Sequence, residues 1–307
     1  MIISASRRTD IPAYYAAWFF NRIREGFVAV RNPFYRHQVR KVFIAPERVD
    51  AFVFWTKNPK PMLNHLHLIN AYPYYFQFTL NAYAQDIETR LPEKFERVDT
   101  FISLAEKIGP HRVIWRYDPI LLNDTYPMAY HIEQFGILAR TLRGYTKKVS
   151  FSFIDFYKKR ADKDINIDIK QEEKVLMAQY LAKIAQEQGL FIETCAETMD
   201  LSQYGISHGR CIDDRLISQL SGHPLDVTKD KNQRLACGCV ESLDIGVYNT
   251  CLNGCVYCYA NHHPAGVEHH AQQHNPLSPL MIGEYAQDDS SKEKGLKRHT
   301  RVQNELF

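Results

Sequence analysis

The stretch CLNGCVYCYAN sets Cys251, Cys255 and Cys258 in a C-x₃-C-x₂-C spacing, with Tyr257 directly before the last thiol. Three thiolates on one short loop can hold three irons of a 4Fe–4S cluster and leave the fourth iron without a protein ligand. An iron with a free coordination position is a place where chemistry can happen. A structural zinc loop is the competing reading, but zinc sites are usually closed by four ligands in C-x₂₋₄-C pairs. Four further cysteines remain, Cys195, Cys211, Cys237 and Cys239, the last two in a CGC run where Gly238 lets the backbone curl so that two thiolates face one site. Four is the number that fully ligates a second 4Fe–4S cluster or a structural zinc. Both readings stay open, as does a third in which these are buried cysteines without a ligand. His208, three residues before Cys211, could replace a thiolate. Histidines 262, 263, 269, 270 and 274 crowd the segment after the loop, but with Pro264, Gly266 and Pro276 among them it reads as a solvated loop rather than a metal site.

A chain of 307 residues can bury one large core, about what a (β/α) barrel with a small appendage requires. The 38 basic and 35 acidic residues leave a formal charge of +3, too weak by itself to argue for nucleic acid. The first residues, MIISASRRTD, do not read as a secretory leader, and no apolar run approaches the ~18 residues that span a bilayer. The expectation is a cytoplasmic protein with no membrane partner. In a reducing compartment an odd number of cysteines points to metal or cluster ligation rather than disulfides.

Those cysteines need elements to position them. Short β-branched and aromatic runs at 1–5, 51–56, 74–80, 112–117, 149–154, 190–194 and 243–247 are candidate strands. Helical patterns lie between most of them, at 13–25, 61–70, 93–108, 128–142 and 171–188. This alternation predicts an α/β fold with a parallel sheet, a (β/α) barrel or partial barrel of the TIM-barrel kind. Phe27 to Ala45 reads instead as a hairpin around Arg31-Asn32-Pro33. The predicted organisation is barrel strands and helices over 1–200, a cysteine-rich iron–sulfur region completing the barrel over 201–286, and a disordered tail over 287–307.

Polar residues follow most of the candidate strands: Ser6, Arg7, Arg8, Thr9 and Asp10; Lys57 and Asn58; Asn81; Asp118; Asp155 and Tyr157; Cys195 and Glu197. In a barrel of parallel strands these ends form the active-site mouth, and the three-cysteine loop, which follows the strand LDIGV, would join them there. Asp10 and Asn58 read equally well as helix caps. Arg7 and Lys57 could meet a cofactor carboxylate or a substrate phosphate, or a salt bridge to Asp10 or Asp118.

The motifs ISASRRTDIPA, FVFWTKNP, FQFTL, VIWRYDPILL, FIDFYKK, IETCAE, CID, KDKNQR, CGC, DIGVYNTCLNGCVYCYAN, SPL and IGE occur here in order, and in this the chain resembles the bacterial domain-of-unknown-function family 1848 (DUF1848). Its cysteine loop is also similar to the signature of the radical S-adenosylmethionine superfamily. The resemblance implies a 4Fe–4S cluster on Cys251, Cys255 and Cys258. It also implies S-adenosylmethionine chelated to the open iron, and reductive cleavage to a 5′-deoxyadenosyl radical that abstracts hydrogen from a substrate. In that superfamily the loop usually follows the first barrel strand, whereas here it follows the last, which implies a circularly permuted barrel. On this reading Ser6, Arg7, Lys57, Arg116, Asp118, Asp155 and Glu197 bind the cofactor, and flavodoxin or ferredoxin supplies the electron.

The chain ends in QNELF after a charged stretch, similar to glutamine-x-x-leucine-phenylalanine peptides that dock on the DNA sliding clamp; Gln303, Leu306 and Phe307 would make that contact, which would favour a nucleic-acid-linked substrate. Two other classes compete with the radical enzyme. A metal-dependent hydrolase could use Asp118, Asp155 and Glu197, but strand-end histidines are missing. A non-catalytic iron–sulfur protein could carry electrons or sense redox state, but a pure carrier normally has four cysteines per cluster.

Overall fold

Runs such as AFVFWT and YYFQFT are apolar at nearly every position, the pattern of strands covered on both faces, and both are almost wholly buried. The computed structural model describes residues 1–35, 37–154, 169–284 and 290–293. In chain order it contains β1 (Ile2–Ala5), α1 (Ile11–Tyr14), α2 (Ala16–Glu25), β2 (Phe27–Arg31), β3 (Gln38–Phe43), β4 (Ala51–Thr56) and β5 (Tyr74–Thr79). There follow α3 (Lys94–Ile108), β6 (Val113–Ile120), α4 (Met128–Thr141), β7 (Lys148–Phe153), α5 (Gln171–Glu187) and β8 (Phe191–Thr194). The last elements are β9 (Ser207–His208), α6 (Asp214–Ser221), β10 (Leu243–Asp244), α7 (Pro264–Gln272) and β11 (Ser290–Glu293).

Eight strands form one sheet in the order β10-β1-β4-β5-β6-β7-β8-β9, every neighbouring pair parallel. The fold is therefore α/β with a large parallel sheet. Among the described residues the sheet does not close into a full barrel: β9 and β10 are its edges, and strands of two residues are too short to carry the register that closure demands. The inner faces of β5, β6 and β7 nevertheless meet the same three residues, 211–213, through Tyr75, Arg116 and Lys148, as a curved sheet allows.

Alternation along each strand sorts the two faces. Ile3, Phe52, Phe54, Phe76, Trp115 and Phe151 point to the helical layer, where Phe19 of α2 meets Phe52 at 5.3 Å and Phe135 of α4 stacks on Trp115 at 4.8 Å. The other face takes Ile2, Val53, Tyr75 and Ile114 together with Cys211, Ile212, Cys237 and Cys239.

The hairpin is present as β2 and β3, antiparallel from Phe27↔Phe43 to Arg31↔Val39. The predicted helix over 61–70 is replaced by two 3₁₀ turns, Lys60–Met62 and Leu66–Ile69, because Pro59 and Pro61 lack donors and Asn64 is a poor helix former. The histidine-rich stretch, read as a solvated loop, includes α7, which carries His269 and His270 and has Pro264 at its first turn, where proline is tolerated. Within the segment predicted to be a disordered tail, Ser290–Glu293 pairs in parallel with β3. An edge strand offers unpaired backbone groups and needs no apolar side chains from its partner. Gln303, Leu306 and Phe307 lie outside the described residues, as do Asp155 and Tyr157. No helix among the described residues is long and apolar enough to cross a membrane.

Candidate functional site

At the C-terminal ends of the sheet a cavity of about 390 Å³ opens, bordered by Ser6 and Arg7 after β1, Lys57 after β4, Asp118 of β6, Ser152 of β7 and Cys195 after β8. All seven cysteines line it. Sequence separations of up to 63 residues between Cys195 and Cys258 are thus collapsed onto one space.

The three-cysteine loop is held by backbone pairing as well as by its own side chains. Val256 N–H donates to the Ile87 carbonyl at 3.0 Å, Arg90 N–H to the Asn253 carbonyl at 3.2 Å, and the Thr89 hydroxyl to the Gly254 carbonyl at 3.0 Å. Asn261 donates to the Cys251 carbonyl at 2.7 Å, and Cys258 N–H to the Cys255 carbonyl at 3.1 Å. Gly254 has φ +67°, and a Cβ there would lie 2.2 Å from Thr89 Oγ1. Gly254→Ala is therefore expected to cost about 1–2 kcal/mol from backbone strain alone, with a further loss from the displaced Thr89 bond. Urea unfolding checks this, and a change below measurement error would show that the loop relaxes freely.

Beneath the loop sits Glu88, only 1% exposed. Its carboxylate accepts from Lys57 Nζ at 2.7 Å, Arg97 Nη1 at 2.9 Å, Asn81 Nδ2 at 3.3 Å and the Tyr257 hydroxyl. Lys57 also donates to Tyr257 Oη at 2.7 Å. Burial opposes both charges, yet Lys57 and Arg97 hold the Glu88 carboxyl below its usual range, and Glu88 raises Lys57. Lys57 borders the cavity, but its charge is already met inside the protein.

Asp10 is the second anchor. Its carboxylate accepts from Ala13 N–H at 3.0 Å, capping α1, from Lys57 N–H at 2.8 Å, and from Asn253 Nδ2 at 3.1 Å. The cap reading and the site reading are thus both realised in one residue. Burial pushes its carboxyl up. Asp118 lies where Pro119, which has no N–H, disturbs the β6–β7 register between Tyr117 and Ile120. It accepts from Arg116 and from the Ser152 hydroxyl, and burial is outweighed by Arg116, so its carboxyl is lowered.

The second cysteine set converges as well. Cys195 and Cys211 sulfurs lie 3.3 Å apart, Arg116 Nη1 donates to Cys211 Sγ at 2.7 Å, and Ile212 N–H reaches Cys239 Sγ at 3.4 Å. A bond to Cys239 pulls the Cys237 thiol down to about 7 against the effect of burial. Burial, with Asp10 nearby, keeps Cys251 well above the thiol range and brings Cys255 to about 12. Thiols held up in this way stay protonated until a metal cation displaces the proton. Among the described residues no three His, Cys, Asp or Glu are set around one ion position. Cluster thiolates bind different irons and need not be.

Of the other expected cofactor residues, Ser6 donates to Asp244 at 2.7 Å, and Arg7 pairs with Asp230 at 3.7 Å and Asp244 at 3.9 Å. Arg7 Nη1 and Thr9 Oγ1 are buried without a hydrogen-bond partner among the described residues. Glu197 does not border the cavity: its carboxylate accepts from Phe153 N–H at 2.8 Å. None of the histidines among the described residues borders it either. His270 bonds the Asn249 carbonyl at 2.8 Å and His274 the Met281 carbonyl at 2.7 Å. Sequence reasoning missed Glu88, Asp244 and Asn253. Glu88 lies in a loop with no local motif, and Asp244 sits inside an apolar run whose only signal was its charge.

No curated protein and no solved structure matches the chain. A family described as Domain of unknown function (DUF1848) matches residues 2–260. That span covers most of the chain, including the cavity wall and all seven cysteines, and the chain therefore belongs to the DUF1848 family.

Proposed function

We propose that this protein is an iron–sulfur enzyme of the radical S-adenosylmethionine type, with its cluster on Cys251, Cys255 and Cys258. The observation that carries the reading is that these three thiols, one turn apart, share a cavity at the C-terminal strand ends with unmet polar donors. When bound, the reduced cluster and S-adenosylmethionine would supply a 5′-deoxyadenosyl radical for hydrogen abstraction.

The chain's own residues perform the rest. The strand-like contact with residues 87–90 holds Cys255 and Cys258 at the rim, and Asp10 fixes Asn253 between Cys251 and Cys255. Arg7 Nη1 is the donor we assign to the cofactor carboxylate, since it lacks a partner and charge-assisted bonds to carboxylates are the strong ones. Lys57 is reassigned from cofactor binding to positioning, because Glu88 and Tyr257 occupy its ammonium. Arg116 is committed to Asp118 and Cys211 in the same way.

The test is anaerobic reconstitution with iron and sulfide, reduction by dithionite, and addition of S-adenosylmethionine. Release of 5′-deoxyadenosine is expected even without substrate, and Cys255→Ser should abolish it. Wild-type protein that carries a reduced cluster yet neither binds S-adenosylmethionine nor releases that product would refute the enzyme and leave an electron carrier.

A further inference from the structure

We infer that Cys195, Cys211, Cys237 and Cys239 form a second metal centre, ligated by four thiolates, in the wall of the same cavity. The inference is independent of the three-cysteine loop and of what that loop binds.

The four thiols come from three separate segments: the residue after β8, the turn after β9, and the CGC run before β10. The segments carrying them are bound to one another through the backbone. Val240 N–H donates to the Ile212 carbonyl at 3.3 Å, and Gly209 N–H to the Thr194 carbonyl at 2.8 Å. Gly238 packs so closely that a Cβ would lie 2.8 Å from the Gly209 carbonyl oxygen, so the CGC run can lie against residues 209–211 only with glycine in the middle.

Inert core cysteines would sit among apolar side chains. These have apolar neighbours, Ile2, Val53, Ile114 and Ile212, on one side only; on the other they border the cavity, and one of them meets a buried guanidinium. Arg116 is always charged, is 5% exposed, and aims Nη1 at Cys211 Sγ from 2.7 Å. A neutral thiol is a weak acceptor; placing a permanent cation against sulfur in the interior is favourable when that sulfur is a thiolate. Four thiolates around a divalent ion or a cluster leave a net negative group, which Arg116 balances beyond its pairing with Asp118.

The sulfurs here run in a chain, Cys195 to Cys211 to Cys239 to Cys237, rather than around a point. Binding then requires χ1 rotation of short side chains on backbones already in place. Four thiolates close the coordination of the metal, so the ligand class is a thiophilic centre, either a zinc ion or a 4Fe–4S cluster, without an open position.

The experiment uses the full chain with Cys251, Cys255 and Cys258 all changed to Ser, which removes the other ligand set. Purified anaerobically and offered iron with sulfide, or zinc, in separate arms, it is expected to retain about four irons or about one zinc per chain. Either stoichiometry supports the centre and identifies its metal. Adding Cys211→Ser and Cys239→Ser should bring the metal to the background level. If that variant does not fold, cobalt titration of the folded parent gives the answer. Thiolate-to-metal charge-transfer absorption saturating at one equivalent, with loss of four titratable thiols, is the expected result. A folded parent that takes up neither metal and keeps four free thiols in excess cobalt would overturn the proposal.

Discussion

Replacing Glu88 with alanine is expected to lower the unfolding free energy by about 3–5 kcal/mol, the cost of removing one partner from a buried ion pair. The expectation is at the upper end, because two cations lose their counter-charge at once: the Arg97 side chain is 2% exposed and that of Lys57 13%. Tyr257 and Asn81 lose their acceptor too. Tyr257 lies between Cys255 and Cys258, so the substitution should also loosen the loop and reduce its iron content on reconstitution.

Glu88→Gln keeps the shape and removes the charge. The native Glu88 carboxyl is held below its usual value, so its contribution is present above the unfolded value of ~4.3 and is lost as pH falls through the native one. The stability gap between wild type and Glu88→Gln, read from denaturant midpoints, should therefore be largest near neutrality and shrink on acidification. A gap that is constant between pH 7 and pH 3 would show that the carboxylate charge is not what holds the network.

Asp10→Ala is expected to cost about 3 kcal/mol or more. Three donors, Ala13 N–H, Lys57 N–H and Asn253 Nδ2, lose one buried acceptor, and each unsatisfied buried donor costs about 1–3 kcal/mol. The sign of its pH dependence is the reverse of that for Glu88. Burial raises the native Asp10 carboxyl, so ionisation costs more in the folded state than in the unfolded one. The gap between wild type and Asp10→Ala should widen as pH falls through that raised value towards the unfolded ~3.9. Opposite slopes for two buried acids in one site separate charge pairing from desolvation, and parallel slopes would contradict the assignment.

The cavity wall was legible in the sequence wherever a residue sat immediately after a candidate strand. Ser6, Arg7, Lys57, Asp118 and Cys195 all border it, because parallel strands present their C-terminal ends to one side of the sheet. Glu197 fits that rule by position and fails by geometry. One turn beyond the strand end, its side chain reaches back to the Phe153 backbone instead of into the cavity. The helix expected over 61–70 failed for a local reason, since its hydrophobic spacing was helical while its prolines were not.

What the chain's own order of residues determined is the set of periodicities and the spacing of reactive groups: short, nearly continuous apolar runs alternating with helical patterns, hence a parallel sheet, and three thiols within eight residues, hence a single loop able to share one cluster. What only tertiary structure decided is which distant groups neutralise one another. Glu88 meets Tyr257 across 169 positions, Asp10 meets Asn253 across 243, and Ser6 meets Asp244 across 238. Pattern and propensity act over a few residues, whereas a buried charge is tolerated only beside its partner. Which partner arrives is settled when the sheet curves and brings its strand ends to a common space.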